Sequence, residues 1–307
     1  MPAASTLRAS RRHPRSSLDR DRNGFGYFLL APQVIAFTAV GLVALGWVIW
    51  LSLNNINVLA RSQTFVGLDN YARILQDPNM ATVLPNTLFF VVIISVSNTV
   101  IGLLLALLMN QKLPGITVFR SLIFVPALVT MVAWTLVWRF IVQPAGGLDA
   151  LLGLVGIPEI PWLRSGWVTL ALFAFIQMTK NVGINMILFL SALQSIPEEL
   201  SEAARIDGAN RWGVFRHVTV PQISAATLMV FMLTVVGSFK IFEIVLLLTN
   251  GGPGVQTSVL SFAIYQNAFV LNDVGYASAL AVLLFALVLV LSGLIWQLRR
   301  RLVFNES

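Results

Sequence analysis

Long apolar runs, rather than amphipathic periods, dominate this chain. No charged residue lies between Arg22 and Arg61 or between Asp77 and Lys112, and a third charge-free gap runs from Arg120 to Arg139. A membrane-spanning helix needs about 20 mostly apolar residues. The runs predict six such helices, at about 27–53, 87–109, 118–142, 167–193, 225–248 and 275–298. Lys180 falls inside the fourth, and Lys240 and Glu243 inside the fifth. The expected class is an all-α integral membrane protein. The first run is longer than the roughly 7–15 residues of a signal-peptide core and precedes no small-x-small site, so it reads as a retained helix.

Composition supports the lipid setting. Of 307 residues 57% are hydrophobic and 11% charged, with a mean hydropathy of +0.82. A soluble domain carries about 25% charged residues. The chain has no cysteine, which excludes disulfides, thiolate catalysis and Cys-ligated metals. His13 and His217 are far apart among basic residues and make a poor metal site.

The net charge of +7 first suggests nucleic acid, but its distribution says otherwise. Six spans put both termini on one side, and 14 of the 20 basic residues fall there. They lie in the 1–26 tail, at Lys112 and Arg120, in the 194–224 loop (Arg205, Arg211, Arg216), and in the 299–307 tail. The positive-inside rule makes that side the cytoplasm. The basic excess then sets orientation, and no nucleic-acid partner is expected. Trp47, Trp50, Trp134, Trp138, Trp162, Trp167 and Trp296 lie near predicted helix ends, where interfacial belts account for them better than a sugar platform.

The loop 194–224 is the organised one. Ser195 and Glu198 fit a capping box, with Pro197 in the first helical turn. Glu198, Glu199 and Glu202 suit the start of a helix, and Gly208 suits its end. A second short helix is expected over about 210–217, with Trp212 and Phe215 beside Arg211 and Arg216, and Pro221 closes the loop. An acidic first arm and a basic, aromatic second arm fit a protein groove better than a lipid surface.

Glu202-Ala203-Ala204, three residues, Gly208, nine residues, then Val218-x-Val220-Pro221 resembles the EAA loop of type I ABC importer permeases, with valine in two aliphatic positions. Phe65-Val66-Gly67-Leu68-Asp69-Asn70-Tyr71, Leu248-Thr249-Asn250-Gly251-Gly252-Pro253 and Gly275-Tyr276-Ala277-Ser278-Ala279 resemble the outer motifs of the carbohydrate branch, in its maltose-F-like first permease subunits. The resemblance implies a six-helix permease domain (27–298). It also implies a second permease subunit, two cytoplasmic ATP-binding subunits that carry ATP and Mg, and an external solute-binding protein. It makes Glu202, Ala203, Ala204, Arg205, Asp207, Gly208, Arg211 and Pro221 the contact to an ATP-binding subunit, and Gly251, Gly252 and Pro253 a contact to the binding protein.

Rival classes fit less well. A secondary transporter usually shows inverted repeats and coupling carboxylates, whereas Glu243 is the one carboxylate within a predicted span. No H-E-x-x-H, G-x-S-x-G or G-x-x-x-x-G-K-[ST] occurs, so neither an intramembrane enzyme nor ATP hydrolysis by a phosphate loop is expected of this subunit.

Within the spans, Gln177, Asn181 and Asn185 recur at i, i+4, i+8 and form one polar stripe. Amides bond helices together, the favoured reading, and also suit sugar hydroxyls. Lys180 flanks the stripe, either in the substrate path or as a structural counter-charge. Lys240 and Glu243, i and i+3, are expected to pair near the outer side, with solute contact as the rival. Two intramembrane lysines keep an anionic glycerol phosphate open beside the favoured neutral sugar.

Overall fold

The structure, a computed structural model, describes residues 29–57, 62–111 and 113–302. The basic 1–26 tail, Arg61, Lys112 and residues 303–307 lie outside the described residues, as do the side chains of Arg300 and Arg301. The described residues divide into two units at Trp50/Leu51. Helix α1 (Leu29–Ser52), most of it in the first unit, contains a π-helical turn at Thr38–Leu42. Trp47 and Trp50 stack there with centroids 5.0 Å apart.

The second unit begins with a two-stranded antiparallel ribbon, β1 (Asn54–Asn57) and β2 (Ser62–Phe65), with Asn54 opposite Phe65. After it come α2 (Asp69–Gln76) and the long α3 (Met80–Met109). Helices α4 (Ile116–Leu128), α5 (Met131–Val142) and α6 (Gly147–Gly153) lead to the second long helix, α7 (Gly166–Gln194). Next are α8 (Glu198–Ile206), α9 (Arg211–Gln222), α10 (Ser224–Ser238), α11 (Glu243–Leu248) and α12 (Leu260–Tyr265). The last helix is α13 (Val274–Leu302).

Among the described residues four helices are long and apolar enough to cross a membrane unaided: α1, α3, α7 and α13. Two of the six expected spans are not continuous helices. The one expected over 118–142 bends by 101° between α4 and the Met131–Gly153 segment. Proline at 126 removes an N–H from the last turn of α4, and Thr130 caps the next helix by accepting from Ala133 N–H. The one expected over 225–248 stops at Ser238 and resumes at Glu243. Counting as one span each of two bent pairs, α4 with the Met131–Gly153 segment and α9 with α10, gives up to six among the described residues.

Small and amide side chains set the packing. Helix α7 lies against α3, where a Cβ on Gly102 would come within 3.0 Å of the Asn185 side chain. On its other side Gly183 abuts the backbone of Ile123 and Phe124 in α4. Such close approach is how helices associate where lipid competes for every apolar side chain. Phe90, Phe173 and Phe262, all nearly fully buried, fill a core between α3, α7, α11 and α12.

Candidate functional site

Three groups of candidate residues lie at different depths of the second unit. The first is the hook of α8 and α9. Glu198 and Glu199 sit in the first turn of α8, near its positive dipole end. The expected capping box is absent: Ser195 donates instead to Ala192 O at 2.8 Å, closing α7, and Pro197 occupies the N-cap of α8. Gly208 takes φ of +88°. Its N–H reaches Arg205 O at 3.0 Å and Ala209 N–H reaches Ala204 O at 2.9 Å, the two bonds of a Schellman stop. Asn210 then caps α9 by accepting from Gly213 N–H at 2.8 Å.

The second arm does not end near His217 as expected; it runs on to Gln222. Pro221 has no N–H to give, and the helix absorbs this with a π-helical turn over Phe215–Thr219. The chain then bends by 65° into α10. Glu202, Ala203, Arg205, Asp207, Gly208 and Arg211 are exposed, while Ala204 and Pro221 are half-buried. Ile206 and Trp212, 86% and 64% exposed, present apolar surface between these charges. Glu202 makes no hydrogen bond or ion pair among the described residues.

A cavity of about 440 Å³ lies at the opposite end, and one of about 740 Å³ lies beneath the hook. The latter is lined by Glu198, Glu202 and Arg205 from α8 and by Asn110 and Arg120 near the ends of α3 and α4. Arg120 also donates to Met109 O at 2.6 Å, capping α3 with a cation.

Residues 91–303 match the family of binding-protein-dependent transport system inner membrane components, more than half of the chain. The chain belongs to that family. It is a membrane-embedded permease subunit of an ABC importer. A probable ABC transporter permease protein of Pyrococcus horikoshii is 32% identical over 282 residues, covering 87% of this chain and 96% of that protein. The trehalose/maltose transport system permease protein MalF of Thermococcus litoralis is 31% identical over 270 residues, covering 86% of this chain and 90% of that one. A bacterial ABC transporter involved in the import of the acidic polysaccharide alginate has a chain of the same fold, with a TM-score of 0.79 at 22% identity, covering 92% of this chain and 98% of that one.

The second group of this permease is the polar stripe of α7, which the structure divides. Asn185 is buried and donates to Asn98 Oδ1 of α3 at 3.3 Å; Asn98 in turn donates to Ile94 O at 3.1 Å. That pair bonds helix to helix. Asn181 is half-buried and lines a small cavity of about 150 Å³ with Asn98, Asn185, Thr234 and Ser238. No charged side chain lines it. Gln177 is half-buried one turn away and does not line it. Asn98, Thr234 and Ser238 escaped the sequence reading, although amides and hydroxyls inside apolar runs are the signal that would have found them. Lys180 points away from this cavity, onto the break between α4 and α5, where Nζ donates to Val129 O at 2.7 Å.

The third group is nearer the opposite end. Lys240 and Glu243 are not on one helix: Lys240 is exposed in the break after α10, and Glu243 opens α11. The expected ion pair between them is absent, because the break removes the helical spacing that would bring them together. Glu243 instead sits at a helix N-terminus, which suits its charge. In the following turn Gly251 is buried with φ of +84°, its Cα facing the Phe262 ring. Gly252 N–H donates to Thr249 O at 3.0 Å, and Thr257 Oγ1 donates to Gly252 O at 2.8 Å. Both glycines therefore shape the turn, and Pro253 is the exposed member of the three.

Proposed function

We propose that this permease carries a neutral carbohydrate, driven by ATP and Mg on two partner ATP-binding subunits, beside a second permease subunit and an external solute-binding protein. The observation that carries the solute class is the small cavity of Asn98, Asn181, Asn185, Thr234 and Ser238. Of these, Asn181 makes no bond among the described residues and can give and accept hydrogen bonds as sugar hydroxyls require, while the others already bond within the protein. The cavity offers no fixed charge, and Lys180 is already engaged elsewhere. A glycerol phosphate therefore has no cation waiting for it at this depth. The relationship to a trehalose/maltose permease points the same way.

In this reading the hook of α8 and α9 faces the cytoplasm together with both termini. It transmits closure of the ATP-binding subunits to α10 through the continuous helix behind Arg211. Pro253 and the neighbouring exposed loop meet the binding protein. The subunit itself hydrolyses no ATP.

The test is uptake by the reconstituted whole system. Proteoliposomes holding both permeases and the ATP-binding subunits, supplied with the binding protein, are offered trehalose, maltose and glycerol 3-phosphate. ATP-dependent uptake of a neutral sugar is expected, with no ATPase activity from this chain purified alone. Uptake of glycerol 3-phosphate in place of both sugars would overturn the neutral-solute reading.

A further inference from the structure

We infer that Lys180 is a positioning residue that clamps the elbow between α4 and α5 and thereby sets the resting shape of this broken span. This goes beyond the transport reading and is independent of which solute is carried. A lysine in the middle of an apolar helix is expensive in lipid and must find partners. Here the partners are backbone carbonyls: Nζ donates to Val129 O at 2.7 Å and approaches Ala127 O at 3.5 Å. Ala127 lies in the last turn of α4 and Val129 is its extended C-cap, where carbonyls lack a helical donor. The ammonium also meets the negative end of the α4 dipole.

The grip is built along one face of α7. Ile176, Lys180 and Gly183 fall at helical spacing. Trp134 Nε1, just past the elbow, donates to Ile176 O at 3.2 Å. Gly183, on the near side, lies so close to Ile123 O and Phe124 Cα that no Cβ would fit. Of these three contacts only the central one is a charge-assisted hydrogen bond. The packing contacts hold α4 and α5 against α7, while the ammonium fixes the bend itself by satisfying the carbonyls that the bend exposes. Without it those carbonyls would be better served by a straighter helix. Lys180 thus biases the span towards the bent form, and a rearrangement that straightens the span has to break this contact.

The experiment uses the assembled complex in nanodiscs. The chain has no cysteine, so spin labels can be placed at Thr117→Cys on α4 and Val137→Cys on α5, both exposed. In a straight helix these positions would be about 30 Å apart at 1.5 Å per residue, and the bend makes them much closer. Lys180→Met keeps the length and removes the donors; Lys180→Arg keeps the donors. The expected result for Lys180→Met is a distance distribution shifted towards the straight limit, with ATPase activity in the absence of solute and binding protein raised by at least about fivefold. Lys180→Arg should retain the wild-type distance and basal rate. Either readout unmoved in Lys180→Met overturns the inference. So does a Lys180→Arg variant that behaves like Lys180→Met, or a complex that assembles with neither, since Lys180 would then be a fixed cap or a folding requirement alone.

Discussion

The hydroxyl of Tyr276 donates to Asp77 at 2.9 Å, joining the first turn of α13 to the chain just past α2 across 199 positions of sequence. Arg73 lies over the Tyr276 ring at 4.6 Å and reaches Asp273 at 2.8 Å. Nearby, Asn70 donates to Ser52 O at 2.8 Å and Asn54 O at 3.0 Å, and Gly275 packs directly on the Asn54 carbonyl. The motifs at 65–71 and 275–279, far apart in sequence, are thus two halves of one clasp at the end of the permease remote from the hook.

Breaking the clasp should cost stability where its groups are buried and little where they are exposed. Asn70 is buried, so Asn70→Leu removes two buried hydrogen bonds and should cost about 1–3 kcal/mol. Arg73→Gln removes a partly exposed ion pair and should cost about 0–1 kcal/mol after solvent screening. Thermal denaturation of the detergent-solubilised complex checks the order. An Arg73→Gln effect exceeding that of Asn70→Leu would contradict it.

Orientation is directly testable in a chain without cysteine. Arg216→Cys in the hook should be shielded from an impermeant thiol reagent in intact cells, and Glu159→Cys, in the exposed stretch between α6 and α7, should be labelled. The reverse labelling pattern would invert the proposed topology and remove the hook from the cytoplasm.

Helical class, apolar spans and hook were legible because each rests on local rules. Charge-free length fixes where a helix can cross, and the positive φ at Gly208 is what a helix-stopping glycine supplies. The breaks were harder to read. Hydropathy is blind to a bend within an apolar run, although Pro126 with Thr130, and Gly237 with Ser238, marked both places. The partners of Lys180 and Asn185 were not legible, because they depend on how α4 and α3 pack on α7 and no local pattern encodes that. Ser195 shows the opposite failure, a sound local motif overridden by the neighbouring helix end.

The division of the α7 stripe predicts two different phenotypes. Asn185→Leu leaves Asn98 buried without its amide partner and should destabilise the subunit by about 1–3 kcal/mol. Asn181→Leu breaks no bond within the described residues and should leave assembly and basal ATPase activity intact while lowering uptake. Co-purification with the second permease, measured beside uptake, separates the two. Normal uptake by Asn181→Leu would remove the small cavity from the solute path.

The hook offers the strongest test of coupling, because its geometry isolates the cause. A Cβ at Gly208 would meet nothing within 4 Å, so a substitution there creates no clash and acts only through the backbone. At φ of +88° a non-glycine residue is strained by roughly 1 kcal/mol, and a β-branched one by more. Gly208→Val should therefore tilt α8 against α9 and leave the membrane helices in place, whereas Gly208→Ala should be milder. Glu202→Lys tests the same element by charge alone, since Glu202 is exposed and makes no bond among the described residues that its loss would break. The proposal expects both Gly208→Val and Glu202→Lys to insert and pair with the second permease. Co-purification of the ATP-binding subunits should fall, and ATPase stimulation by the loaded binding protein should fall with it. Thermal stability of the permease pair should stay close to wild type for Glu202→Lys, as for other surface substitutions, and fall by no more than the local backbone strain for Gly208→Val. If both variants stimulate ATPase as wild type does, at equal expression, the charge and turn of the hook do not transmit the ATPase stroke, and the contact must be sought elsewhere on that face.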